Sequence, residues 1–385
     1  MESASLFADL ITSFIITLVV IPSIVRISNE KNFFDVPNRR KLNKVATPTL
    51  GGVAIFIGLV LGSILFLKNH FFPEWQYLFV SIIMMLFVGL VDDLMVINAW
   101  KKFSIQLGAA LILVLMGNFR ITQAYELFSF SVFANWFSIP LSVIVILFLI
   151  NAINLIDGID GLAAALSLLV SLVLGTWFCL TGNTGYAIIC IALCGSLAAF
   201  LRFNLSNGPN KIFMGDTGSL VLGTFLAAIA IRFNELNAIA SSPFRFSQAP
   251  VLAMALLIVP TTDTLRVFTI RILKKRSPFS PDKNHIHHLL IKAGLSHVQA
   301  TGFLLAYTII FTLLALTFQY LRLNITASFF LILTLSFSSV QAIYGVTKFR
   351  IKRRTPDEFT KIQTKIIRLK PLKDYFPPRK KNYKD

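Results

Sequence analysis

The chain has 385 residues, 55% of them hydrophobic and only 14% charged, with a mean hydropathy of +0.73. A soluble globular chain carries about 25% charged residues, so this composition excludes a water-soluble core of this size and makes the bilayer the solvent. The formal net charge of +18 lies between apolar runs and in the tail, a pattern of membrane topology and attraction to anionic lipid rather than of nucleic-acid binding.

Apolar runs recur at roughly residues 6–26, 50–67, 77–92, 103–117, 138–155, 162–181, 185–202, 217–232, 249–270, 302–321 and 326–346. At the ~20 residues a bilayer requires, they predict an all-α polytopic membrane protein of about eleven transmembrane helices. Residues 1–9 carry Glu2 and Asp9 and no Lys or Arg, so the first run reads as a permanent span and not a secretory signal. Gly51, Gly52, Gly58 and Gly62, near the second run, suit close helix packing. Weak alternation over residues 119–136 predicts a short hairpin between the fourth and fifth spans. Cys179, Cys190 and Cys194 lie inside apolar runs, with neither a disulfide framework nor zinc spacing. Residues 1–346 form the membrane domain, and 347–385 a basic tail suited to a membrane surface.

With an odd number of spans the two ends face opposite sides. All of the 36 Lys and Arg then fall on one side except Lys68, Arg120, Arg232, Arg245 and Arg322. By the positive-inside rule the basic side is cytoplasmic, the N-terminus outside and the C-terminus cytoplasmic.

The acids follow the same division. Asp92 and Asp93 end the third span. Asp157 and Asp160 end the fifth, within Asn151-Ala-Ile-Asn154-Leu-Ile-Asp157-Gly158-Ile-Asp160-Gly161. Asp216 opens the eighth, within Phe213-Met214-Gly215-Asp216-Thr217-Gly218-Ser219, and Asp263 lies in the ninth. Any one of these reads as a helix cap or an ion-pair partner. Together, carboxylates at several helix ends on one face are costly unless paired, hydrated or metal-bound. Oxygen ligands from separate helix ends suit Mg²⁺, with Mn²⁺ as the alternative, and substrate phosphate completes such a shell. Cations accompany them: Lys41 in the first cytoplasmic loop, and Lys101 and Lys102 after Asp92–Asp93. The loop after the ninth span carries His285, His287 and His288, with His297 farther on. That cluster admits a zinc site or a site for a nucleotide diphosphate and its sugar, and the second fits better because no cysteine or histidine from another helix supports zinc.

Five anchors in order bring out a resemblance. They are Pro37-Asn38-Arg39 with Thr47-Pro-Thr-Leu-Gly-Gly52; Gly89-Leu-Val-Asp92-Asp93; the stretch from Asn151 to Gly161; Asn210-Lys-Ile-Phe-Met-Gly-Asp216-Thr-Gly-Ser; and Ser277-Pro-Phe-Ser-Pro-Asp-Lys-Asn-His285-Ile-His-His288. Over about residues 30–300 the chain resembles the polyprenyl-phosphate N-acetylhexosamine-1-phosphate transferases, of the glycosyltransferase 4 type. The resemblance implies that Asp216, with Asn154 beside it, binds magnesium. It also implies that Asp92 and Asp93 activate the lipid phosphate or help hold metal, and that Asp157 and Asp160 belong to the catalytic centre. Lys102 matches the lysine on the diphosphate, and His285, His287 and His288 match the nucleotide-sugar cluster. Lys41, Asn151 and Asn204 fall among the substrate-contacting positions. The run Phe203-Asn204-Leu-Ser-Asn207-Gly208-Pro209-Asn210 is about two residues longer than the family's Asn-x-x-Pro-Ala pattern, which leaves Asn204 and Asn207 as alternatives for its asparagine.

The implied activity is Mg²⁺-dependent transfer of N-acetylhexosamine-1-phosphate from a UDP-sugar to undecaprenyl phosphate. UMP is released, and the step initiates a cell-envelope glycan such as lipopolysaccharide or a cell-wall polymer. The His-x-His-His form is more similar to the N-acetylglucosamine branch than to the peptidoglycan branch, phospho-N-acetylmuramoyl-pentapeptide transferase. The active site would face the cytoplasm from the inner membrane, and a homodimer is compatible with the resemblance. A transporter or lipid flippase is the rival class, but it calls for charges at mid-bilayer in broken, repeated helices. No such repeat is visible in the sequence.

Overall fold

A computed structural model describes residues 2–31, 33–35, 46–67, 70–95, 97–122, 135–239, 243–275 and 284–353. Lys41 and the Pro37-Asn38-Arg39 anchor, most of the 119–136 hairpin, Ser277–Lys283 and nearly all of the tail lie outside the described residues. The helices are α1 (Glu2–Lys31), α2 (Gly51–Phe66), α3 (Trp75–Met95), α4 (Ala99–Leu111), α5 (Asn135–Ile156), α6 (Leu162–Leu180), α7 (Thr184–Asn204), α8 (Gly215–Ile239), α9 (Ala249–Leu256), α10 (Ile258–Leu273), α11 (Ile286–Lys292), α12 (His297–Tyr320) and α13 (Ile325–Arg353). A π-helical turn, Ile112–Met116, prolongs α4. A two-residue antiparallel ladder pairs β1 (Phe34–Asp35) with β2 (Thr47–Pro48).

Among the described residues nine helices are long and apolar enough to cross a membrane, and α9 with α10 makes a tenth span bent by 76°. The shorter α2, 16 residues and apolar throughout, completes the eleven expected positions of this all-α polytopic membrane protein. The bend is where the structure departs from a single span over 249–270. Pro260, at the third position of α10, has no N–H for the carbonyl four residues back and crowds it, which breaks the helix near Leu257.

The centre of the bundle is α7 and α8, buried along nearly their whole length, with α1, α2, α3, α5 and α6 packed around them. A helix apolar on every side belongs there, and one with an apolar face toward lipid belongs outside. Phe7, Val19, Leu65 and Phe87 accordingly stay exposed on the periphery. Small residues set the closest approaches. A Cβ added at Gly58 would collide with Thr17 of α1, one at Gly62 with Ser13, one at Gly52 with the backbone of Gly218, and one at Gly89 with the backbone of Thr217. Van der Waals contact between backbones is what holds helices together where lipid removes the hydrophobic drive.

The two ends of the bundle differ in chemistry. At one, Arg232 pairs with Glu74 and donates to Tyr186 Oη at 2.6 Å, and Thr122 donates to Glu235. At the other, α3 and α5 end and α8 begins, and the remaining aspartates of the spans' ends gather.

Candidate active site

The geometry of this end starts from backbone pairing. Gly51 and Gly52 donate to the carbonyls of Phe213 and Met214, each at 2.9 Å, and Phe213 N–H donates to Pro48 O at 2.8 Å. The segment entering α2 thus lies along the segment entering α8. Gly215 then turns with φ +72, and a side chain there would strike Thr49 O and the Asp93 carboxylate. Glycine is required at that turn for both reasons.

Asp93 faces the start of α8. Its Oδ1 accepts from the Asp216 N–H at 2.8 Å, and its Oδ2 from the Thr217 N–H at 2.9 Å and the Thr217 hydroxyl at 2.6 Å. It therefore caps α8 from another helix, satisfying N–H groups that no intrahelical carbonyl reaches. Asp92, its neighbour, points elsewhere: Oδ1 accepts from Ile97 N–H at 2.8 Å and Oδ2 from Lys102 Nζ at 2.8 Å. Lys102 also reaches Asp216 Oδ2 at 3.1 Å, so one ammonium bridges the ends of α3 and α8. Asn154 donates to the other Asp216 oxygen and to Ser219 Oγ at 2.8 Å.

Asp92, Asp93, Asn154, Asp157, Asp160, Asn204 and Asp216 line one cavity of about 420 Å³ with Thr49 and the 213–215 backbone. Asp157 has the least support there. Burial, and then the charges of Asp216, Asp93 and Asp160, push its carboxyl up to about 8, and no hydrogen bond among the described residues offsets them. Asp160 is the opposite case. Burial raises it, but hydrogen bonds and charge from His297 and Lys211 more than offset this and hold it below the usual carboxylate range. Lys211 Nζ lies 2.7 Å and His297 Nδ1 3.3 Å from its Oδ2.

The other residues singled out in the sequence surround this cavity or support it. Asn204 is buried, and both ends of its amide serve the backbone: Oδ1 accepts from Gly161 N–H at 2.6 Å and Nδ2 donates to Ile212 O at 2.9 Å. Asn207 is exposed. Asn151 is one turn before Asn154 and donates to Gln106 Oε1 at 3.1 Å and Leu147 O at 2.8 Å, away from the cavity lining. His287 packs against Gly158 in the cavity wall, where an added Cβ would collide with its Nε2. Burial, and then the neighbouring His288, hold His287 well below the usual histidine range, so its ring is neutral. The His287 and His288 rings are 4.4 Å apart and the His285 and His287 rings 5.8 Å. Thr217, Ser219, Lys211 and His297 are the participants that motif reading did not single out as site residues. The hydroxyls sit inside the Gly-Asp-Thr-Gly-Ser motif, but nothing local joins position 160 to 211 or 297.

A divalent cation is tested by the donor set. Five carboxylates, of Asp92, Asp93, Asp157, Asp160 and Asp216, line the cavity with Asn154, against two paired ammonium groups, Lys102 on Asp92 and Asp216 and Lys211 on Asp160. That excess of hard oxygen donors and negative charge fits Mg²⁺. Among the described residues no group of three or more acids, histidines or cysteines is drawn together at metal-binding spacing. Asp216 and Asn154 are the residues that would hold it.

Comparison with known proteins agrees with this picture. A model described as "Glycosyl transferase family 4" matches residues 75–234, which span the Asp92–Asp93, Asn154–Asp160 and Asp216 elements. The chain is 31% identical, over 93% of its length and 96% of the relative's, to the "Probable undecaprenyl-phosphate N-acetylglucosaminyl 1-phosphate transferase" of Bacillus subtilis (strain 168). It is 26% identical to the undecaprenyl-phosphate alpha-N-acetylglucosaminyl 1-phosphate transferases of Escherichia coli O157:H7 and of Yersinia pestis, each over 78% of this chain and 80% of the relative.

Proposed function

The chain belongs to glycosyl transferase family 4, and on that premise we propose that it moves N-acetylglucosamine-1-phosphate from UDP-N-acetylglucosamine to undecaprenyl phosphate with Mg²⁺, at the cytoplasmic face of the inner membrane. The observation that carries the reading is the single cavity in which Asp92, Asn154, Asp157 and Asp216 meet at one end of the bundle, with His287 packed against its wall at Gly158. Transfer between two phosphate-bearing substrates needs their mutual repulsion lowered. A bound Mg²⁺ supplies charge neutralisation of the diphosphate and of the departing nucleotide.

The protein's own groups do the rest. Lys102, fixed between Asp92 and Asp216, presents an ammonium to the diphosphate. Asp92, whose carboxylate is on the same lysine, orients the lipid phosphate or takes its proton. A phosphate oxygen of the lipid forms a bond to the β-phosphorus, the bond from that phosphorus to the bridging oxygen breaks, and UMP leaves with the electron pair. A lipid phosphate is already a competent nucleophile near neutral pH, so no aspartyl intermediate is needed. The alternative is a two-step path with an aspartate as nucleophile, and it calls for a sugar-phosphate adduct when lipid is withheld.

The test is UMP release by purified protein given UDP-N-acetylglucosamine, undecaprenyl phosphate and Mg²⁺, with a panel of other UDP-N-acetylhexosamines. Asp216→Asn is expected to fold and to lose nearly all Mg²⁺-dependent transfer; turnover like that of the unmodified protein sinks the metal assignment. A transporter or flippase releases no UMP in any arm.

A further inference from the structure

Behind the histidine cluster lies an acid that the proposed reaction does not use. Asp263, in α10, is 1% exposed. Its Oδ1 accepts from Arg266 Nη2 at 2.9 Å and from the Ile286 backbone N–H at 3.0 Å, and its Oδ2 lies 2.8 Å from His285 Nδ1. A carboxylate paired with a buried guanidinium is ionised and can only accept, so His285 Nδ1 carries the proton. In the neutral ring the lone pair is then at Nε2. That atom is buried and has no partner among the described residues, and neither has His287 Nδ1. His285 and His287 are 3% and 1% exposed, and their rings are within 9° of parallel. One carboxylate thus sets the tautomer of His285, the plane of its ring and the first N–H of the helix that carries His287 and His288. Leaving a buried acceptor without a partner is costly, which marks Nε2 as an atom that awaits one and not as packing alone.

We propose that Asp263 is a positioning residue for the donor substrate: it holds His285 with Nε2 bare, so that the ring accepts a hydrogen bond from a hydroxyl or N–H of the nucleotide sugar. The inference rests on the reading of the site as a nucleotide-sugar site.

Asp263→Asn separates this role from a merely structural one. The asparagine oxygen still accepts from Arg266 and Ile286, but its amide now faces His285 Nδ1 and drives the ring proton to Nε2. With the full chain in detergent, Asp263→Asn is expected to raise the KM for UDP-N-acetylglucosamine on the order of 10–100-fold, the range that orienting partners of functional histidines command. The KM for undecaprenyl phosphate stays unchanged, while the melting temperature falls because the buried Arg266 loses its carboxylate partner. His285→Ala gives a similar loss, and the double variant loses no more than either single one. Spectra of ¹⁵N-histidine-labelled protein report the tautomer without any substrate. Nδ1-protonated His285 in the unmodified protein and Nε2-protonated His285 in the variant are the expected pair, and an unchanged tautomer overturns the proposal. Losses that multiply in the double variant, or a shift in acceptor KM with donor KM unmoved, overturn it equally. An unmodified protein that turns over no UDP-sugar while its tautomer shifts as expected refutes the donor assignment instead.

Discussion

Asp92 and Asp93 are adjacent, yet removing their carboxylates is expected to do different things. Asp93 accepts three hydrogen bonds from the first residues of α8, at 2.8, 2.9 and 2.6 Å. A hydrogen bond to a charged group is worth ~1.5–3 kcal/mol, so Asp93→Ala, which abandons all three, costs on the order of 5 kcal/mol. Asp93→Asn keeps one carbonyl oxygen and costs about 2 kcal/mol. Losses of this size correspond to about 6 °C and about 2–3 °C in melting temperature for a chain this long. Asp92→Asn keeps an oxygen for Ile97 N–H but turns its amide NH₂ toward Lys102, which retains Asp216 as its partner, so its fold survives while its transfer activity collapses. The assay is thermal unfolding in detergent beside UMP release for the three variants. The reasoning fails if Asp93→Ala melts like the unmodified protein and differs from it only in turnover, because the carboxylate is then free for chemistry and not engaged in capping.

The glycine contacts predict a matched pair: Gly52→Ala or Gly89→Ala drives a methyl group into the backbone of α8 and is expected to cost ~1–3 kcal/mol, whereas Gly302→Ala, with nothing within 4 Å, melts no lower than the unmodified protein. Asp157, raised to about 8 in the folded state, binds a proton more tightly there than in the unfolded chain. Its effect on stability is therefore lost as pH rises from about 4 to about 8, and metal-free protein should melt progressively lower over that window. Asp157→Asn is expected to flatten the slope; an equal slope in the variant rules the carboxyl out as its source. For Asp160, held low by His297 and Lys211 after they outweigh burial, the sign reverses: its contribution is present above the ordinary carboxylate range and lost on acidification, and Lys211→Met should remove part of that acid sensitivity in unfolding curves.

The span positions are legible because lipid leaves the chain few options: long apolar runs must become helices, and every described run does. The bend at Leu257 is also written in the sequence, in Pro260, but a run of constant hydropathy conceals it. In the site, Asp216 and Asn154 are found together as the motifs imply, since the glycines around them specify how near the chains can come. The division between Asp92 and Asp93 is invisible beforehand, because neighbouring residues near a helix end project in different directions and only the position of α8 decides which one it claims. The support of Asp160 by Lys211 and His297, and of His285 by Asp263, joins residues 51, 137 and 22 positions apart. No local pattern carries such pairings; they exist only once the helices have packed.

Gly89 leaves no slack between the helix that bears Asp92 and the one that opens with Asp216, and Gly52 leaves none between α2 and that same helix. Positions that touch no substrate therefore work as the gauge of the reacting groups' spacing, and a change there is passed on in full, with no hinge to absorb it. The histidines stand on a different mount, fastened to α10 through one carboxylate, beyond the break at Leu257. On the proposed assignment of the histidines to the donor, donor choice and phosphoryl chemistry are mechanically separable, and engineering for another sugar belongs on the α10–α11 side, with the glycine seam left untouched.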